Sequence, residues 1–238
     1  SDTHQVILLV DADSLVFSSC YAPKDREEVF YEKIEEVIYK FDESFQSIVN
    51  YLSDKYNVTQ VIVFNDGRGN FRKLITKKYK ANRSKQERPP LLKDVHEHVR
   101  SSYNSHCAVG METDDLVAIY WSELSKVWGR DNVMIVSIDK DYLQFPALVF
   151  RYHTKILCDL TVEESRYNFY EQMIVGDTSD NVNYFKGKGV KFAEKYYKDC
   201  LTDFQYRKKL YLLFKEKYKS KAKEKYSECY NLLKLRTE

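Results

Sequence analysis

The sequence predicts an α/β fold built on a mostly parallel central sheet, and three observations carry that expectation. Continuous apolar runs at residues 6–10, 61–64 and 133–138 read as strands buried on both faces. Segments with apolar residues at three-to-four spacing separate them, the signature of crossover helices. Each run leads into aspartate within two residues: Asp11 and Asp13, then Asp66, then Asp139 and Asp141.

In chain order, the first strand ends in Asp11-Ala12-Asp13, two aspartates that share one side of an extended chain. From about Asp25 to Tyr56, Val29, Ile34, Val37, Phe41, Phe45, Ile48 and Leu52 mark one or two amphipathic helices, with a break near Asp42. The second strand passes through the turn Asp66-Gly67-Arg68-Gly69-Asn70 into a basic helix expected over 71–83. Residues 84–90 are polar and broken by Pro89-Pro90. Leu91, Leu92, Val95 and Val99 suggest a further short helix, so that 71–105 reads as a weakly packed arm. A short strand at 107–109 precedes Gly110. Leu116, Ile119, Tyr120 and Val127 then set a helix starting near Thr113, with Thr113 as its cap. After the third strand, 148–160 reads as a pair of strands. Thr161 and Glu164 form a capping box for a helix to about Val175, ended by Gly176. Gly187-Lys188-Gly189 opens a helix from Val190 to about Asp199, and a basic, tyrosine-rich helical tail follows. Two regions result: an α/β core over 1–160 and a helical region over 161–238.

No apolar run approaches the ~20 residues of a membrane helix, and no membrane partner is expected. Ser1-Asp2-Thr3-His4 precedes an apolar strand where a secretory signal would carry a basic segment. The five cysteines are scattered and form no CxxC pair. This fits reduced thiols in a cytoplasm and argues against a zinc site. His96 and His98, two apart on a helix, face different ways and make no ligand pair. The formal net charge is only +2, but the charges are segregated. Nine basic residues stand against one acid between Arg68 and Arg88, and nine against two between Arg207 and Lys225. Separate basic and acidic zones suit a chain that holds a polyanion beside cations.

The densest acidic stretch is Met111-Glu112-Thr113-Asp114-Asp115. An acidic first turn accounts for one or two carboxylates, at a few tenths of a kcal/mol each. Three so close raise each other's pKa, and a bound cation removes the conflict. In an open parallel sheet, ligands bind outside the carboxyl ends of the strands, where a following helix also begins. That edge collects Asp11, Asp13, Asp66, Glu112, Asp114, Asp115, Asp139 and Asp141, with Asp177 and Asp180 approaching from the second region. Hard oxygen ligands without histidine or cysteine select Mg²⁺ or Mn²⁺. Two such ions roughly 3.5–4 Å apart are a known arrangement for phosphodiester cleavage.

The basic segment after Asp66 stands over the same edge. Lys80 and Arg83, three apart on one helical face, are placed to grip a scissile phosphate. Arg72 and Lys77 are candidate nucleic-acid contacts. Tyr79 is a candidate base-stacking residue, although with twenty tyrosines in the chain packing is the commoner role for any one. Gly187 and Gly189, running into Lys191 and a helix N-terminus, offer backbone N–H groups to a phosphate.

These residues resemble the 5′-nuclease family of flap endonucleases, polymerase 5′-nuclease domains and phage ribonuclease H enzymes. The carriers are Val10-Asp11, Asp66, Tyr79-Lys80-Ala81-Asn82-Arg83, Glu112-Thr113-Asp114-Asp115, Ser137-Ile138-Asp139-Lys140-Asp141, Gly176-Asp177-Thr178-Ser179-Asp180-Asn181 and Gly187-x-Gly189-x-Lys191. The resemblance implies a PIN-like core with a helical arch and a helix–three-turn–helix (helix–hairpin–helix) element. It implies two Mg²⁺ ions, a tighter one held by Asp11, Asp66, Glu112, Asp114 and Asp139, and a looser one held by Asp115, Asp141, Asp177 and Asp180. It implies Lys80 and Arg83 as the basic pair at the active-site gateway, and a hairpin that grips duplex backbone, in some members with a K⁺ ion. Asp13 stands where the family has a small or polar residue.

The expected activity is 5′-3′ exonuclease and flap endonuclease action during replication. The expected partners are branched or flapped DNA and RNA–DNA primer ends, met by a monomer in a bacterial cytoplasm, the host's if the chain is phage-encoded. A PIN-like single-strand endoribonuclease and an inactive nucleic-acid-binding scaffold are the alternatives. The duplex grip argues against the first. The full set of carboxylates argues against the second, since acids beside phosphate weaken simple binding.

Overall fold

The first apolar run forms β1 (Gln5–Asp11), hydrogen-bonded on both sides in the computed structural model, which describes residues 4–23 and 29–238. Its neighbours are β4 (Asn57–Phe64) and β5 (Val133–Val136), both parallel to it. The five-stranded sheet has the order β4-β1-β5-β6-β7, with β6 (Leu148–Arg151) parallel to β5 and β7 (Ile156–Asp159) antiparallel at the edge. A separate antiparallel pair joins β2 (Tyr21–Ala22) to β3 (Val29–Phe30). Side chains alternate across the sheet, as a strand's two-residue period requires. Val6, Leu8 and Val10 enter one core with α1 (Asp13–Ser19), α2 (Ile34–Ser53) and α4 (Leu92–Tyr103). Ile7 and Leu9 enter the opposite core with α5 (Thr113–Trp128). Because β4, β1 and β5 are adjacent and parallel, their carboxyl ends share one edge.

A third core is helical. α6 (Val162–Val175), α7 (Val190–Tyr196), α8 (Asp203–Tyr218) and α9 (Ala222–Leu233) pack around Met173, Phe185, Tyr197, Leu210 and Phe214. The Thr161–Glu164 capping box opens α6 as expected. Gly176 ends it at φ 81°, and a Cβ there would lie 2.2 Å from the Val182 carbonyl oxygen, so only glycine fits. Among the described residues, no helix is long and apolar enough to cross a membrane.

Several expected elements differ. Asp13 begins α1 and is not on the strand with Asp11. α2 runs without a break at Asp42, whose carboxylate is held by His98 (2.8 Å) and Tyr103 (2.6 Å) from α4. Its expected start at Asp25, like the opening Ser1-Asp2-Thr3, lies outside the described residues. The basic helix over 71–83 is only α3 (Arg72–Ile75), an extended Thr76 and a 3₁₀ turn at Ala81–Arg83. Residues 107–109 form no strand; isolated bridges join His106 to Phe64 at the end of β4 and Val109 to Arg68. Glu112, not Thr113, caps α5: Glu112 and Asp115 form a reciprocal capping box, while Thr113 Oγ1 accepts the Gly67 N–H at 3.1 Å.

Candidate active site

The shared strand edge opens into a cavity of about 910 Å³. Asp11, Asp13, Glu112, Asp114, Asp139, Asp141, Asp177 and Asp180 line it, with Lys80 and Arg83 beside them. Asp11 is the last residue of β1. Its Oδ2 accepts the Tyr142 hydroxyl at 2.6 Å, and burial, reinforced by Asp13, pushes its pKa up to about 7. Asp139 follows β5 and accepts the Asp141 N–H at 2.9 Å. Burial still raises it to about 6, against that hydrogen bond. Asp141 Oδ1 accepts from Gln172 Nε2 at 2.7 Å, and burial followed by Asp139 raises it well above the carboxylate range.

Asp114, in the first turn of α5, is the most exposed to conflict. Burial, then Glu112 and Asp139, push its pKa strongly up, and its buried Oδ1 has no hydrogen-bond partner. Asp177 and Asp180 sit in the loop after α6. Asp177 Oδ1 is tied to the Ser179 N–H (3.0 Å) and Oγ (2.7 Å). Burial pushes Asp180 up to about 7 even though Lys80 pulls it down. Oxygens of Asp114, Asp139 and Asp141 lie within 4.8 Å of one another, and so do those of Asp141, Asp177 and Asp180. Asp141 links the two groups. An orphaned carboxylate oxygen inside an all-oxygen donor set fits a hard divalent cation.

Glu112, Asp114 and Asp115 also approach within 4.8 Å, yet this third group differs. Both Asp115 oxygens are saturated: Oδ1 accepts Arg72 Nη2 (2.8 Å) and the Arg236 N–H (2.9 Å), Oδ2 accepts Arg72 Nη1 (2.6 Å) and the Glu112 N–H (3.1 Å). Glu112 accepts Arg72 Nη1 (2.8 Å), Asn70 Nδ2 (2.9 Å), the Tyr79 hydroxyl (3.0 Å) and Lys80 Nζ. Burial works against the Arg72 charge, but Asp115 and Glu112 hold its pKa above the ordinary value.

The remaining candidates separate plainly. Arg72, expected on a nucleic-acid face, is 0% exposed and serves the carboxylates. Tyr79, expected to stack on a base, is 3% exposed, and its hydroxyl orients Glu112. Asp66 does not join the cluster. At φ 59° its carboxylate turns to Arg100 (2.5 Å) and Arg68 (3.4 Å), and only its N–H reaches toward the site, donating to Asp13 at 2.8 Å. Lys77 and Lys191 are exposed, Gly187 (φ 86°) with Gly189 leads into α7, and none of the four lines the cavity.

Lys80 and Arg83 do meet, but through a tight turn with Lys80 in the left-handed region at φ 55°. Four hydrogen bonds to backbone carbonyls clasp this turn to the aspartate loop. Lys80 N–H donates to Asp180 O (2.8 Å), Asn82 Nδ2 to Thr178 O (3.0 Å), Arg83 Nε to Ser179 O (2.9 Å) and Asn181 Nδ2 to Lys78 O (2.8 Å). Lys80 Nζ then pairs with Glu112 and lies 3.8 Å from Asp180. Arg83 reaches Asp180 at 3.0 Å. Sequence reasoning missed Lys73, Arg88 and His96, which also line the cavity, and Tyr142 and Gln172, which hold Asp11 and Asp141. No local pattern marks these residues; the fold brings them in.

The model of the 5′-3′ exonuclease N-terminal resolvase-like domain matches residues 6–173. A 5′-3′ exonuclease of Mycoplasmopsis pulmonis (strain UAB CTIP) is 30% identical over 217 residues, 86% of this chain and 68% of that protein. A 5′-3′ exonuclease of Buchnera aphidicola subsp. Schizaphis graminum (strain Sg) is 28% identical over 165 residues, 62% of this chain and 55% of that protein. Among solved structures, the bacteriophage T5 D15 flap endonuclease in complex with DNA and metal ions superposes with a TM-score of 0.69 at 16% identity, covering 96% of this chain and 89% of that one. The catalytic core of Rad2 with a DNA substrate gives 0.52 at 17% identity, covering 98% and 75%.

Proposed function

The chain belongs to the 5′-3′ exonuclease family, and we propose that it is a metal-dependent nuclease hydrolysing phosphodiesters at 5′ flaps and primer ends during replication. The observation that carries the metal is the pair of carboxylate groups joined at Asp141, with an Asp114 oxygen left without a donor. In this reading Asp114, Asp139 and Asp141 hold one Mg²⁺ or Mn²⁺, and Asp141, Asp177 and Asp180 hold a second. Bound there, such cations supply Lewis-acid stabilisation and a water of lowered pKa.

The chain's own residues do the rest. Tyr142 fixes Asp11 beside the first group, and Gln172 fixes the shared Asp141. Lys80 Nζ and the Arg83 guanidinium stand at the rim of the cavity, where they can move from Glu112 and Asp180 to phosphate oxygens. Asp115, saturated by four donors, holds the α5 terminus in place and takes no ligand role. Exposed lysines and arginines of residues 73–88 and of α8 and α9 contact the nucleic-acid backbone, together with the Gly187–Gly189 hairpin.

The test is cleavage of a 5′-flap DNA, a gapped duplex, an RNA–DNA hybrid and linear single-stranded RNA, with and without Mg²⁺. Junction cleavage should require the metal, and Asp139→Asn should lower it by on the order of 10³-fold. Equal cutting of unstructured RNA, or full activity in that variant, overturns the reading.

A further inference from the structure

The far end of the chain returns to the wall of this site. α9 stops at Leu233, and Lys234 turns extended at φ −75°, ψ 121°. Gln144 brackets the segment: its Nε2 donates to Leu233 O (3.0 Å) and its Oε1 accepts the Leu235 N–H (2.9 Å). The Leu235 side chain, 2% exposed, plugs the core beneath α5. Two backbone groups then reach the acidic wall. Lys234 O accepts Arg72 Nη2 at 2.8 Å, and Arg236 N–H donates to Asp115 Oδ1 at 2.9 Å. The Arg236 guanidinium lies 4.0 Å over the Phe71 ring.

Resting on the metal-centre reading above, we infer that residues 233–236 are a positioning element of that centre. They fix Arg72 and Asp115, and through them Glu112 and the first turn of α5 that carries Asp114. The donor count supports this. Arg72 Nη2 carries two hydrogens, one taken by Asp115 and one by Lys234 O. Without the carbonyl, a fully buried N–H has no acceptor and the guanidinium is free to rock against both carboxylates. Asp115 likewise needs the Arg236 N–H to complete its four donors. Arg72 and Lys234 are 162 positions apart, so no local geometry enforces the contact. The segment could instead be a clasp that only joins the helical region to the core. The two roles differ in what they touch: a clasp works through the Leu235 side chain, a positioning element through the backbone at 234 and 236.

Three variants of the 238-residue chain separate them, read by Mn²⁺ binding (electron paramagnetic resonance of free ion) and by thermal melting without metal. Arg236→Pro deletes the N–H, Arg236→Ala keeps it, and Leu235→Ala removes core packing. Arg236→Pro should weaken Mn²⁺ binding about tenfold, the scale of losing an outer-shell metal partner, and Arg236→Ala no more than about twofold. Leu235→Ala should lower Tm more than either while leaving Mn²⁺ affinity within about twofold. If Arg236→Pro fails to fold, Gln144→Leu, which frees the same segment, should weaken Mn²⁺ binding about threefold. Equal affinities for the proline and alanine variants, an unchanged Gln144→Leu, or affinity losses that simply follow Tm losses overturn the inference. A wild-type chain that binds no Mn²⁺ overturns the metal-centre reading itself, which distinguishes the two failures.

Discussion

The carboxylates in and behind one cavity fall into two groups that are in opposite states. Both oxygens of Glu112 and both of Asp115 are supplied with donors, from Arg72, Tyr79, Asn70, Lys80 and backbone N–H groups. On the Asp114–Asp139–Asp141–Asp180 wall, burial pushes pKa values up and one buried oxygen has no donor. Proximity alone does not tell them apart, since Asp114 lies within 4.8 Å of Glu112 and Asp115 as well as of Asp139 and Asp141. Donor accounting does. A satisfied acidic cluster is scaffold, and an unsatisfied one is where an external cation gains most.

The contrast is broken most severely at Arg72. Arg72→Met leaves Asp115 and Glu112 buried without their cation, and urea unfolding should show a loss of about 3–5 kcal/mol. A loss under 1 kcal/mol would mean that the wall satisfies itself by other means. Lys80→Ala probes the cation shared between the walls. It should lower single-turnover cleavage by on the order of 10²-fold with little change in substrate Kd. A defect confined to Kd would make Lys80 a binding residue only.

Proton linkage sharpens the unsatisfied wall. Asp11, Asp139 and Asp180 have pKa values raised to about 7, 6 and 7. Their unfolded values lie near 3.9. A carboxyl that binds its proton more tightly when folded contributes stability that is complete below about pH 4 and is lost as pH rises through about 6 to 7. Metal-free protein should therefore melt several degrees lower at pH 8 than at pH 5. Mg²⁺ should raise Tm at pH 8 far more than at pH 5. A metal-free Tm that rises with pH across this window would contradict the assignment. The smallest effect belongs to Tyr79→Phe, which removes one donor to Glu112 and should cost about 1 kcal/mol of stability. Affinity for single-stranded DNA should stay within about twofold, because a ring 3% exposed offers no face to a base.

The sheet and its acidic edge were legible because their signals are local or topological. Buried runs declare parallel strands, and neighbouring parallel strands must present Asp11 and Asp139 together. The Thr161–Glu164 start of α6 and its end at Gly176 were equally plain. The errors lie where distant contacts decide. Nothing near Arg72 distinguishes it from Lys77; a backbone carbonyl at Lys234 and two carboxylates draw it inside. The apolar and basic pattern over 71–83 reads as one helix, but the clasp to the 178–181 loop forces Lys80 into a left-handed conformation. Asp42 resembles a helix break until His98 and Tyr103 are seen to hold it. Thr113 has the better capping propensity, yet Glu112 wins through its exchange with Asp115.

The four-bond clasp between Lys78–Arg83 and Thr178–Asn181 has a consequence for how this nuclease can change. Cationic rim and aspartate loop are bolted into a single rigid block, so neither can be retuned by itself. Substitutions on one loop will be read out through the other, and their energies will not add. Variation in substrate preference is therefore more easily accommodated outside the block, at exposed Lys85 and Glu87 or on the outer faces of α8 and α9, where a new side chain disturbs neither partner.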